Sequence, residues 1–102
     1  MQNDYRKEIK LKIAITLNLL LAKKKKASTE KLRKEDIVDS YNEIALNADI
    51  RKATVSDTFN ARTIPNSLTL IEIVEAMDFN LNDFGKVYDS ITTNQIIEFN
   101  KK

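Results

Sequence analysis

The sequence contains no cysteine, histidine or tryptophan, and it has only one glycine and one proline. Without cysteine the chain has no disulfide and no thiolate metal site. Without histidine it lacks the usual general base near neutral pH and the commonest metal ligand. A single glycine cannot form a phosphate-binding loop of the GxxxxGK or GxGxxG kind. We therefore expect a protein that is not an enzyme and that holds no cofactor and no metal.

The same scarcity restricts the fold. A β-sandwich or barrel needs many glycine and proline turns, whereas helices can be joined by Asn, Asp and Ser turns. The length of 102 residues suits one domain. We predict a single all-α domain over 1–102, compact and built from five or six helices.

An apolar run, IAITLNLLLA at 13–22, follows Arg6 and Lys7 and has some features of a signal peptide. Four lysines follow it where a cleavage site would need small residues. The run is also too short to span a bilayer. We therefore predict neither a signal peptide nor a membrane span, and a cytoplasmic location, which the absence of cysteine fits.

Residues 9–22 carry two apolar patterns at once. IKLKIAITLNLLLA alternates with the period of a strand, but its apolar residues also form a helical stripe. A strand of this length would exceed the usual range of roughly 3–10 residues. We expect a helix that is apolar on more than one face, with a strand as the alternative.

Further helical stripes follow along the chain. They predict helices over 34–48 and about 52–60, and a third that is capped by Asn66 or Ser67 and runs through Met77. The next helix starts from Asn80 or Asn82, and a last turn starts from Thr92 or Thr93.

Charge is unevenly distributed. The net charge is only +2, but residues 1–34 carry eleven basic and three acidic side chains, and residues 35–102 carry six basic and twelve acidic ones. Such asymmetry is typical of a protein of which one part meets a polyanion.

Residues 41–60, YNEIALNADIRKATVSDTFN, have the pattern of two short apolar helices joined by a tight turn, and the second opens with Arg51 and Lys52. This stretch resembles the helix-turn-helix of the lambda-repressor-like family, also called the Xre or Cro/repressor type. Its small Ala45 and its TVS run at 54–56 match the family pattern. Residues 60–65 resemble the family's N-G-x-x-x-P loop, and TLIEIVEAMDFNLNDF at 69–84 resembles its fourth helix and the entry to its fifth. The family-like core is about 9–92, with 27–39 as an insertion and 93–102 as a C-terminal extension.

Four positions depart from the family pattern. Asp49 and Ala61 stand where the family usually has glycine, Arg51 where it has a Ser or Thr cap, and Asp57 where it often has a basic or polar reader of bases. Aspartate tolerates the left-handed backbone region better than most residues, so we expect Asp49 to adopt it.

The resemblance implies a transcriptional regulator of the phage or mobile-element repressor type. Such a protein binds double-stranded DNA as a homodimer on a pseudo-palindromic operator, with helix 52–60 in the major groove. Dimer contacts are expected from 81–99 or from the first helix. The implied base-contacting residues are Arg51, Lys52, Ala53, Ser56, Asp57 and Asn60. The implied phosphate-contacting residues are Lys23, Lys24, Lys25, Lys26, Arg62 and Thr63.

Each assignment has a plainer alternative. The lysine run, Lys23 to Lys26, also fits a solvated helix end, and the Asp57 carboxylate also fits a pair with a neighbouring cation. Tyr41 and Phe59 fit the core better than base stacking. The main alternative function is a protein–protein interaction module on the same fold, antitoxin-like or otherwise partner-binding, with weak or no DNA binding. In that case the Arg51–Lys52 pair is dispensable.

Overall fold

The computed structural model describes the backbone of residues 2–25 and 34–101 and the side chains of 6–25, 37 and 39–101. These residues form six helices and, over the two described ranges, no strand, so the predicted all-α fold is confirmed. The helices are α1 (Gln2–Lys24), α2 (Lys34–Ala48), α3 (Lys52–Phe59), α4 (Ser67–Ala76), α5 (Leu81–Ser90) and α6 (Thr93–Asn100). Of the predicted insertion, 27–33 lies outside the described residues, and 34–39 forms the first turns of α2.

Helix α1 accounts for the ambiguous pattern of residues 9–22. It contacts α3, α5 and α6, so it is covered on several sides. Leu17 and Leu20 are buried in the main core, and Leu11 and Ile15 are buried as well. The strand-like alternation therefore arises because this helix is covered on several sides and needs apolar residues around most of its circumference. The expectation of a helix that is apolar on more than one face is confirmed, and other helices of the same chain cover much of that surface.

The core is built from side chains of α1 to α5. Its most buried large side chains are Leu17, Leu20, Val55, Phe59, Ile73, Val74 and Met77. Burying a side chain of this size contributes about 1.5–3 kcal/mol relative to leaving it exposed. Ala45 is buried in the same cluster, and its small side chain lets α2 and α3 cross closely.

Side-chain caps begin the last three helices. Asn66 accepts from the amide of Thr69, and Asn80 and Thr92 each form a reciprocal capping box, with Asp83 and Gln95 respectively. These are the first-named residues of the three predicted pairs of caps. Helix α3 is different because Arg51 takes the N-cap position and makes no side-chain cap bond.

Helices α2, α3 and α4 end in the same backbone motif. Asp49, Ala61 and Asp78 have φ values of 58°, 60° and 69°. After each, an amide reaches back five residues: Ile50 to the Ala45 carbonyl at 3.0 Å, Arg62 to Asp57 at 2.8 Å, and Phe79 to Val74 at 3.2 Å. These are Schellman closures, which normally use glycine. The expected left-handed backbone of Asp49 is confirmed, and Ala61 has it too.

No helix within residues 2–25 and 34–101 is both long enough and apolar enough to cross a membrane.

Replacing Ala61 by glycine tests the left-handed closure of α3. Its β-carbon is strained at a φ of 60°, so Ala61→Gly is expected to raise the free energy of unfolding by about 1 kcal/mol. Urea denaturation measures the change. The control, Ala22→Gly on the exposed surface of α1, is expected to lower stability by about 0.5–1 kcal/mol. Destabilisation by both substitutions would contradict the strain at Ala61.

Candidate nucleic-acid interface

The C-terminal end of α3 is held inside the protein. Phe59 is fully buried, and its ring centroid lies 4.9 Å from that of Tyr41 on α2. The side-chain amide of Asn18 on α1 donates to the Phe59 carbonyl oxygen at 2.8 Å. Val55 and Thr58 are buried on the same side of the helix. Helix α3 is therefore fixed between α1 and α2. The core placement predicted for Tyr41 and Phe59 is confirmed.

The opposite side and the N-terminal end of α3 face solvent. Because residues three and four apart share one face of a helix, the predicted base-contacting residues fall on this outer side. Arg51, Lys52, Ala53 and Asn60 are exposed, and Ser56 and Asp57 are half-buried. The structure thus brings all six predicted base-contacting residues to one continuous surface, the outer face of α3.

Asp57 on this face is paired with a cation. The Arg62 Nη1 lies 3.1 Å from the Asp57 Oδ1 and 3.5 Å from the Ser56 Oγ. With 61% of the Arg62 side chain and 40% of the Asp57 side chain exposed, solvent screens the pair, and it adds little to stability. Its local effect is to offset the carboxylate charge on the outer face of α3. This is the arrangement named as the alternative to base contact by Asp57.

The lysine run at the end of α1 is near carboxylates. Lys24 Nζ lies 2.9 Å from the Asp78 Oδ2, and Lys25 Nζ lies 3.7 Å from the Glu43 Oε1. Lys23 is exposed, and Lys26 lies outside the described residues. Two of the four predicted phosphate-contacting lysines are thus already close to a negative charge.

The other predicted phosphate-contacting residues, Arg62 and Thr63, border a second basic surface. Together with Ile64 they line an open cleft whose other side is Arg6, Lys7 and Lys10 of α1. We call this surface the basic cleft. Lys10 and Lys24 are fourteen positions apart on one helix, which places the lysine run about 20 Å from the basic cleft.

Sequence reasoning did not assign a role to Arg6, Lys7 or Lys10. Their charges contribute to the excess of basic residues in 1–34. Their position beside Arg62 depends on how α1 passes the loop after α3, and no local pattern encodes that crossing.

Acidic side chains collect elsewhere. Glu72, Glu75 and Asp78, on and just after α4, line a cleft with Asn47 and Ala48 at the end of α2. Asp39 and Glu43 are exposed on α2. Among the described residues, no group of three or more carboxylates has an arrangement that could hold a metal ion.

Tyr41 connects the core to the outer face of α3. Burial raises the pKa of its phenol above the usual value of 10.0, and a hydrogen bond with Asn60 and the charge of Arg62 act in the opposite direction. The neutral phenol is thus favoured in the folded protein.

Comparisons with known proteins found no relative: no family model, no curated protein and no solved structure matches this chain.

The raised pKa of Tyr41 predicts how stability depends on alkaline pH. A pKa that is higher in the folded than in the unfolded state gives stability that is complete below about 10 and is lost as the pH rises through the folded value. The free energy of unfolding of the wild type is therefore expected to fall more steeply above pH 10 than that of Tyr41→Phe. Urea denaturation across this range measures both. Parallel curves would contradict the effect of burial.

Proposed function

We propose that the protein is a sequence-specific DNA-binding regulator of the lambda-repressor-like type, which places α3 in the major groove of double-stranded DNA in the cytoplasm. The observation that carries this proposal is the orientation of α3. Its C-terminal end is buried and bonded to α1, while its N-terminal end presents Arg51 and Lys52 to solvent. A recognition helix needs this combination, because its N-terminal residues meet base edges.

The outer face of α3 offers suitable groups for reading bases. Arg51 and Lys52 have donors for guanine O6 and N7, and Asn60 can bond adenine. Ala53 is small enough to allow close approach and contact with a thymine methyl. The Asn60 side-chain amide donates to the Ser56 carbonyl at 2.8 Å, which restrains its orientation. Ser56 and Asp57 complete the proposed base-contacting set.

Two left-handed residues support the proposed family. Asp49 and Ala61 adopt positive φ at the two positions where that family usually has glycine. The backbone turn after α2 and the loop after α3 are thus built without the usual residue. These are similarities of local geometry, and the family assignment is part of the proposal.

Phosphate contacts are proposed for two groups of residues. Arg62 and Thr63 follow α3 directly and are exposed. Lys23 to Lys26 are the second group, and within it Lys24 and Lys25 lie close to the carboxylates of Asp78 and Glu43. The lysine run is therefore proposed to make the weaker phosphate contribution.

A candidate surface for the proposed homodimer lies between α1 and α6, within the two segments from which dimer contacts are expected. Helices α1 and α6 border a mainly apolar cleft lined by Ile15, Leu19 and Phe99 among others. Leu19 is 40% exposed, and Ile97 on α6 is 48% exposed. Dimerisation would remove this apolar surface from water.

One observation favours the alternative of a protein-interaction module. Leu46 on α2 is 81% exposed, and it borders a shallow cleft with Ile50 and Lys52 beside the start of α3. A large exposed apolar side chain at this place suits a protein partner. In this alternative, α2 and the start of α3 bind protein, and duplex binding is negligible at moderate salt.

Selection of duplexes from a random library at near-physiological salt tests the proposed function. The wild type is expected to enrich a palindromic motif, and Arg51→Ala/Lys52→Ala is expected to lose it, because each good base contact contributes about 1–3 kcal/mol of discrimination. The matched control is Lys86→Ala/Lys101→Ala, which removes the same charge from exposed positions on α5 and after α6. It is expected to keep the motif.

Two results would contradict the proposal. If the wild type and the Arg51→Ala/Lys52→Ala variant bind duplexes equally well and neither enriches a motif, the protein does not recognise a base sequence through α3. An absence of duplex binding would favour the protein-interaction module.

A charge in the α1–α6 cleft tests the proposed dimer. Leu19→Glu is expected to shift a dimer to monomer, because a carboxylate in an apolar interface must be desolvated. Leu46→Glu, a change of the same kind on α2, is expected to leave the dimer intact. Sedimentation equilibrium measures both. A monomeric wild type, or a dimer that survives Leu19→Glu, would contradict this interface.

A further inference from the structure

We propose that the basic cleft binds the phosphate backbone of the same DNA duplex, so that Arg6, Lys7 and Lys10 of α1 act with Arg62 in holding α3 against the groove. This inference rests on the proposed function and assigns to α1 a role that its sequence does not indicate. The ligand is a run of phosphates on one strand.

The charge of the basic cleft suits a polyanion. Its lining contains four cations, Arg6, Lys7, Lys10 and Arg62, together with Thr63 and Ile64, and among the described residues that lining includes no carboxylate. Arg62 at its edge also pairs with Asp57. By contrast, Lys24 and Lys25 in the lysine run each lie close to a carboxylate. Over the part of the chain that the structure describes, the basic cleft thus offers a polyanion the stronger positive charge.

The basic cleft lies beside the C-terminal end of α3. Arg62 comes two residues after Asn60, the last residue of the outer face of α3, and the cleft continues from there onto α1. A strand that leaves the groove beside the end of α3 meets this cleft next. Arg6 and Lys10 lie about one helical turn apart, about 6 Å along α1, so they share one side of the helix and can contact the same strand.

The two ends of α1 differ in how the helix dipole acts on their cations. Cations stabilise the C-terminal end of a helix and are unfavourable near its N-terminal end. Lys23 and Lys24 in the last turn of α1 are therefore accounted for by the helix itself. Arg6 and Lys7 lie in the second turn from the N-terminal end, where the helix dipole gives them no favourable interaction. A polyanion would supply one.

The salt dependence of duplex affinity tests this assignment. The variant Arg6→Gln/Lys7→Gln/Lys10→Gln removes three charges from the basic cleft, and glutamine keeps the helix propensity of α1. The control, Lys23→Gln/Lys24→Gln/Lys25→Gln, removes the same charge at the C-terminal end of α1, about 20 Å away. The probe is one random-sequence duplex, and its fluorescence anisotropy is titrated at several salt concentrations. Circular dichroism establishes that both variants keep their helices.

The cleft variant is expected to flatten the plot of log affinity against log salt by about 0.9 for each phosphate that the protein no longer neutralises, and so by roughly two to three in slope. The lysine-run variant is expected to change the slope by less than the cleft variant does, because Lys24 and Lys25 already lie close to carboxylates. An unchanged slope in the cleft variant would overturn the inference, as would a larger or equal change in the lysine-run variant, or a wild type that does not bind duplex.

Failure of this inference and failure of the proposed function give different results. If the lysine run holds the phosphates, the lysine-run variant and not the cleft variant flattens the plot of log affinity against log salt. Enrichment of a sequence motif then still depends on Arg51 and Lys52. If the proposed function fails, neither the wild type nor Arg51→Ala/Lys52→Ala enriches a sequence motif, whatever the cleft variant does.

Discussion

The burial of Phe59 is the constraint on which the outer face of α3 depends. Phe59 packs on Tyr41 of α2, and its carbonyl accepts from Asn18 of α1, so one residue joins three helices. A helix as short as α3 would be marginal by itself, and it gains its stability from such packing. Because the contact lies at the last residue of α3, the first residues of that helix remain exposed to solvent. The Schellman closure at Ala61 then turns the chain so that Arg62 reaches back over the same outer face.

Helix α1 contributes to the core along its length and carries a group of basic side chains toward each end. Three other helices contact it, and its two ends carry separate groups of cations that differ in their surroundings. At the C-terminal end, Asp78 and Glu43 approach Lys24 and Lys25. At the N-terminal end, the cleft shared with Arg62 and Thr63 has no acidic residue in its described lining. The eleven basic residues of 1–34 are therefore not one uniform patch, and the proposed interface uses the two ends of α1 unequally.

Much of the fold followed from the sequence because its signals are local. Helical stripes, the caps Asn66, Asn80 and Thr92, and the left-handed turn at Asp49 each depend on a few neighbouring residues, and the structure confirms them. The outer face of α3 was predictable for the same reason, since spacing along one helix determines which residues share a side. The extent of α1 toward Gln2, the Lys24–Asp78 contact and the basic cleft were not predictable. Each depends on how distant segments cross, which one sequence does not encode locally. The left-handed Asp78 was not predicted, because the resemblance marks Asp49 and Ala61, and not Asp78, as positions where glycine is usual.

Amide chemical-shift mapping during titration with a short duplex tests the central claim most directly. That claim is that the outer face of α3 meets DNA while its buried end stays fixed to α1 and α2. The account predicts large shifts for Arg51 to Ala53, Ser56 and Arg62 to Thr63, and small ones for Glu72 to Asp78 on the acidic side. Shifts confined to the lysine run or to the α1–α6 cleft, with α3 unchanged, would contradict it.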